Sequence, residues 1–254
     1  MRIERKVGAT IAVLGSLLLA VSGAVPALAG NGPSAGFSHV TGFRFAGTAN
    51  ATSTGLAGWV FGAKAAASVT AEFKIPALKC TTVTSGVAPS SAMLTGSMTA
   101  PNVNVASVLL VCSKGAAIAI PAVTVDGTET NGTQAVHAGD LMKATVTTTA
   151  TTTIATIADL TAGHTFSFKK SGKGAASFQE LIVDTAVNQG TTQLPVANFG
   201  KISYTKCAVG GKAIGIVTPR TAVNMQTSGG VLQILTGAIT GTGSNAFITT
   251  FKHA

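Results

Sequence analysis

The chain has 254 residues, 46% of them hydrophobic and only 10% charged, and its 17 lysines and arginines outweigh 8 aspartates and glutamates for a net charge of +9. A positive surface suits anionic partners such as wall polymers or lipid head groups. The scatter of these charges, with no interleaved aromatics, argues against a nucleic-acid reader.

The N-terminus has the layout of a secretory leader: Arg2, Arg5 and Lys6 form a basic start, Val7–Val25 is apolar and small, and Ala27-Leu28-Ala29 is an A-x-A cleavage site. Residues 1–29 are therefore expected to be a signal peptide and the mature chain to begin at Gly30, extracellular and soluble. No second run is long enough to span a bilayer, so no transmembrane anchor is expected in the mature chain. The remaining stretch of about 225 residues suffices for one all-β domain with a real core. Residues 30–54, rich in Gly, Ser, Ala and Asn, read as an N-terminal arm with a short strand at His39–Ala46; residues 55–254 read as the domain.

From Gly55 onward the pattern is β. GLAGWVF is a short strand. In VTAEFKIP, Val69, Ala71, Phe73 and Ile75 alternate with Thr70, Glu72 and Lys74, which predicts a half-buried strand closed by a proline. Val103–Val111 and Ala116–Val125 predict apolar strands around a Ser-Lys-Gly turn. Leu141–Thr149 and the threonine-rich run to Ile157 predict a meander, since β-branched Thr suits a strand. His164–Lys169, Gln179–Asp184, Ile214–Val217, Thr221–Gln226, Val231–Ala238 and Asn245–Phe251 complete the set. No amphipathic helix is evident, and many short strands at near-regular spacing predict an antiparallel sandwich or barrel. Export makes a disulfide plausible among Cys80, Cys112 and Cys207. Three single bridges are possible; Cys80–Cys112 is preferred because both flank strands close in sequence, which leaves Cys207 as a buried free thiol.

Several strings, taken in order, resemble the glutamic peptidase (eqolisin) family. Gly55–Trp59 is similar to the family's N-W-A-G-Y, with Leu56 in place of its Trp. VTAEFKIP matches F-x-x-V-x-A-x-F-x-V-P, Gly139–Val146 matches G-D-x-I-x-x-x-V, and Ile157–Gly163 matches L-x-D-L-T-T-G. Gln179–Asp184 (QELIVD) is similar to A-E-W-I-V-E, and Leu194–Cys207 to L-P-x-F-G-x-V-x-F-T-x-C. The resemblance spans Gly55–Lys252. It implies a concanavalin-like β-sandwich and, for active members, secreted acid endopeptidases with a Gln–Glu dyad. In such a dyad the Glu serves as general acid and then as base toward water, while the Gln positions that water and stabilises the oxyanion.

On this resemblance the family's catalytic Glu falls on Asp184, one methylene shorter, and its companion carboxylate on Glu180. A retraction of about 1 Å is enough to cost orders of magnitude in a positioned proton transfer. Glu180 and Asp184 share a strand face but lie about 13 Å apart. The family Gln position falls on Leu110 or a neighbour; leucine has no donor, and whatever the alignment no Gln occurs between Pro76 and Thr133, the first being Gln134. That interval also has no aromatic residue, although the family lines its groove with Trp and Tyr from this region.

Other catalytic signals are absent or weak. His39, His137, His164 and His253 are far apart; no G-x-S-x-G, H-E-x-x-H or C-x-x-C occurs; Gly/Lys turns at Ser171–Gly174 and Gly210–Lys212 lack the phosphate-loop pattern. No metal or other cofactor is expected. The expectation is a monomeric extracellular binding or surface protein of glutamic-peptidase fold, with an anionic cell-wall or surface polymer, or unfolded peptide, as partner. The alternative is an acid endopeptidase with a rebuilt site using Asp184 and Glu180.

Overall fold

The computed structural model describes residues 51–62, 68–81, 86–95, 103–126, 128–149, 151–171, 179–185, 188–189, 192–193 and 195–253. The expected leader, the strand at His39–Ala46 and the turn that follows Ser171 lie outside them. The strands, in chain order, are β1 (Ala51–Ser53), β2 (Leu56–Phe61), β3 (Ser68–Lys74), β4 (Gly86–Thr95), β5 (Val103–Ser113), β6 (Ala116–Val125) and β7 (Thr128–Asn131). They continue with β8 (Leu141–Thr148), β9 (Thr152–Asp159), β10 (His164–Ser171), β11 (Gln179–Thr185), β12 (Asn188–Gln189), β13 (Thr192–Gln193), β14 (Lys201–Val209), β15 (Lys212–Ala213), β16 (Arg220–Gln226), β17 (Leu232–Thr236) and β18 (Phe247–Phe251).

The main ladder runs β10-β9-β8-β3-β14-β18-β17-β16-β2-β11-β4-β5-β6-β7. It folds on itself at the β16–β17 hairpin, so that β4, β5 and β6 lie over β3, β8 and β9. The result is the expected antiparallel β-sandwich, and among the described strands only β1 breaks the pattern by pairing in parallel with β16. Ala51–Ser53, assigned above to the arm, are thus part of the sheet.

Alternation sets the core. Val69, Ala71, Phe73 and Ile75 point inward and are buried, as are Met142, Ala144 and Val146 of β8 and Ala155 and Ile157 of β9. From the other layer come Ala106, Val108, Leu110 and Cys112 of β5, Val123 and Val125 of β6, and Ile182 of β11. The threonine-rich run therefore forms true strands, with Thr145, Thr147, Thr152 and Thr156 on the outer side of β8 and β9, while Thr148 and Thr153 turn inward and pair their buried hydroxyls at 3.1 Å. The Cys80–Cys112 disulfide ties the segment after β3 to the end of β5, and Cys207 is free and buried.

Two local expectations are corrected. Ile214–Ile216 forms a 3-10 turn rather than a strand. Gly215 donates to the Ser244 carbonyl at 2.8 Å, and a Cβ there would lie 2.1 Å from the Ser244 side chain, so the close approach of two loops overrides a four-residue apolar run. Glu72, placed on the outer side of β3, is buried despite its position. Lys206, at a register shift in β14 and with φ 48°, brings its ammonium 3.1 Å from the Glu72 carboxylate.

Candidate functional site

The matched carboxylates lie on β11, a strand held centrally between β2 and β4. Its Ile-Val pair is buried on both faces, which suits a strand covered on each side. Asp184 sits opposite Ala57 of β2 and Ser90 of β4; Glu180 sits opposite Phe61 and Leu94. The close fit of β2 depends on Gly58, at φ 142°, where a Cβ would stand 2.3 Å from the Ile182 carbonyl oxygen.

Asp184 is fully buried and turned inward, on the same side of β11 as core residue Ile182. The phenol of Tyr204, on β14 in the opposite layer, donates to its Oδ1 at 2.5 Å. Tyr204 is itself fully buried, stacked on Phe247 at 4.7 Å and tilted against Phe73 at 5.6 Å. A carboxylate withdrawn from water needs such a donor. Tyr204 went unrecognised in the sequence reading, although it occupies the Phe of the F-T-x-C pattern, and an added hydroxyl at a core position was the available signal.

Leu110 is also fully buried in the core. Strand register places Val108, not Leu110, in the row of Asp184 and Ser90. Leu110 is two strands across and two residues along from Asp184, about 12 Å away. The two matched positions thus share the inner face of one layer without forming a pair. Glu180 lies four residues along β11, and its side chain is outside the described set.

On the outward face of this layer, register aligns Val183 with Ser107 and Ala122, and Leu109 with Ile120 in a neighbouring row. Among the described side chains, β2, β11, β5 and β6 present no carboxylate or amide there. Gln134, the first Gln after Pro76, lies past the end of β7, in the loop beside Pro121 and Phe166, four strands from β11. Glu129 of β7 is the nearest outward carboxylate on this layer; burial raises its pKa above the ordinary value.

The remaining motif carboxylates shape turns. Asp140 accepts the His137 backbone N–H at 2.7 Å. Asp159 Oδ1 accepts the N–H groups of Thr161 and Ala162 at 2.8 and 2.9 Å, an Asx-type turn that fixes the β9–β10 hairpin. Gly210 and Gly211, both at positive φ, form the β14–β15 hairpin, as the hairpin reading of that Gly/Lys string requires. Burial, reinforced by the Glu72 charge, pushes the Cys207 thiol up to about 12, so it is not a nucleophile. Among the described residues no group of three His, Cys, Asp or Glu could hold a metal ion, and no helix is long and apolar enough to cross a membrane.

No curated protein matches the chain. Among solved structures it is similar to scytalido-glutamic peptidase bound to a peptide-based transition-state analogue, at 14% identity over 78% of this chain and 98% of that one, with a TM-score of 0.60. It is also similar to SCP-B, an eqolisin in complex with the tripeptide Ala-Ile-His, at 15% identity over 78% and 98%, TM-score 0.58. Aspergilloglutamic peptidase from Aspergillus niger matches at 17% identity over 66% and 99%, TM-score 0.53. At such identities these structures speak to the fold alone. The Peptidase A4 family profile matches residues 54–249, most of the chain and all of the motifs above, and the chain therefore belongs to the Peptidase A4 family, the glutamic peptidases or eqolisins.

Proposed function

We propose that this chain is a secreted, non-catalytic member of its family that acts outside the cell as a binding or surface protein. The observation that carries the reading is the setting of Asp184. A general acid and base must reach a substrate and a water. The carboxylate at the matched position is instead fully buried and receives the Tyr204 hydroxyl from the opposite layer. The matched amide position is an equally buried leucine, which has no N–H to stabilise an oxyanion. Related structures were solved with a transition-state analogue and with a tripeptide; in this chain the residues that would act on such ligands belong to the core.

The test is digestion of an unfolded protein substrate between about pH 2 and about pH 5, the range in which a carboxyl general acid is partly protonated. The secreted chain is expected to leave the substrate intact. Cleavage that disappears in Asp184→Ala would overturn the proposal and establish an acid endopeptidase using Asp184, with Glu180 as the next residue to replace.

A further inference from the structure

The outer face of the β10-β9-β8-β3-β14-β18 layer carries an ordered line of charge. Register makes Lys169 of β10 a neighbour of Ile154 on β9, and Ile154 a neighbour of Thr147 on β8. Lys143 of β8 pairs with Glu72 of β3, and Lys74 lies two residues beyond Glu72. On β14, Thr205 pairs with Glu72, and Lys201 lies four residues on, on the same face. Lys201 pairs with Thr250 of β18, and Lys252 follows two residues later, its backbone N–H held by the Gln233 carbonyl.

In this frame Lys169, Thr156, Lys143, Lys74 and Lys201 occupy successive strands and Lys252 directly follows the end of β18, each one strand over and two residues along from the last. One step is about 4.8 Å across and about 6.7 Å along, hence about 8 Å, and the whole line is about 40 Å long. Twist rotates successive strands but keeps the register that defines the line. All five lysines are exposed, and none forms an ion pair among the described residues. The one carboxylate on this face, Glu72, is buried under Lys206. Hydroxyls fill the rows beside the line: Thr70 and Thr145 are 2.9 Å apart, and Thr156 and Ser167 3.2 Å apart.

We propose that this stripe binds a linear acidic polysaccharide, a polyuronate laid diagonally across the sheet. The proposal rests on the extracellular binding role argued above and gives it a surface and a partner class. Ammonium groups set along one line, with the Thr156 hydroxyl taking the one step between Lys169 and Lys143, complement a chain of carboxylates, and the attraction adds over the length of the polymer. Threonine and serine hydroxyls both donate to and accept from sugar hydroxyls. The described outward side chains include no aromatic for stacking bases, which separates this face from a single-stranded nucleic-acid platform. A single line of charge also matches a chain better than a lipid surface, which a broad basic patch would serve.

The full-length secreted chain is titrated with sodium polygalacturonate at several salt concentrations. Wild type is expected to bind at low salt and to weaken steeply as salt rises. Replacing Lys74, Lys143 and Lys201 together by Gln should weaken binding by about tenfold or more and flatten the salt dependence, since counterion release scales with the cations engaged. The Arg versions of the same three positions should retain binding, and Lys114→Gln, in the β5–β6 turn of the other layer, should bind as wild type does.

No binding by wild type, an unaffected triple Gln variant, or an equal loss in Lys114→Gln would overturn the proposal. So would tighter binding to oligo(dT) or to phosphatidylserine vesicles. Absence of both polyuronate binding and peptide cleavage removes the stripe's role and leaves the non-catalytic reading standing. Cleavage dependent on Asp184 removes that reading whether or not the polymer binds.

Discussion

Tyr204 and Asp184 join the two layers of the sandwich through one hydrogen bond made wholly out of water. A buried bond of this kind matters most when one partner is removed, because the other then keeps its desolvation cost. Tyr204→Phe should therefore lower the unfolding free energy by about 2 kcal/mol, while leaving the Phe73 and Phe247 ring contacts in place. Adding Asp184→Leu to that variant should cost less than the two single changes summed, with a coupling energy of about 1–3 kcal/mol. Urea unfolding of the four proteins measures this directly, and a strictly additive cycle would mean that the pair is not coupled.

At the scale of elements, β2 and β11 show what the motif strings were reporting. Gly58, the glycine of GLAGW, has φ 142° and faces the β11 backbone with no space for a side chain. Gly58→Ala should push the strands apart at Ile182–Val183 and lower the melting temperature by several degrees or prevent folding. A melting curve unchanged from wild type would contradict that. Strands with clean alternation, such as β3 and β8, were legible from the sequence because one face is apolar. β4 was not: GVAPSSAMLT has a proline and serines where a strand pattern expects β-branched residues, and it is held as a strand by pairing on both sides with β5 and β11. The matched site was legible only in part. Residue type marked Leu110 and Asp184 as departures from the family pattern, but their inward orientation follows from which face of each strand the opposite layer covers. The turn carboxylates Asp140 and Asp159 belonged to family strings whose purpose became clear only with their backbone partners in place.

For the whole molecule, the resolved ionisation shifts point one way. Burial raises the pKa of Glu129, and burial with the Glu72 charge raises Cys207 from 9.0 to about 12. A group whose pKa is raised by folding stabilises the native state below its unfolded pKa and loses that contribution as pH climbs toward the folded value. The Glu129 contribution is thus present in acid and declines as pH rises above the ordinary carboxyl range. The Cys207 contribution holds through neutrality and declines from about pH 9 toward pH 12 as the unfolded thiol ionises while the folded one stays protonated. Urea midpoints for wild type and Cys207→Ala across this range isolate the thiol, because every other group is common to both proteins. The gap between them should be constant from about pH 5 to about pH 8 and should shift against wild type above about pH 9. A gap that stays constant into strong alkali would show that Cys207 ionises as easily folded as unfolded, and hence that β14 opens around its bulge.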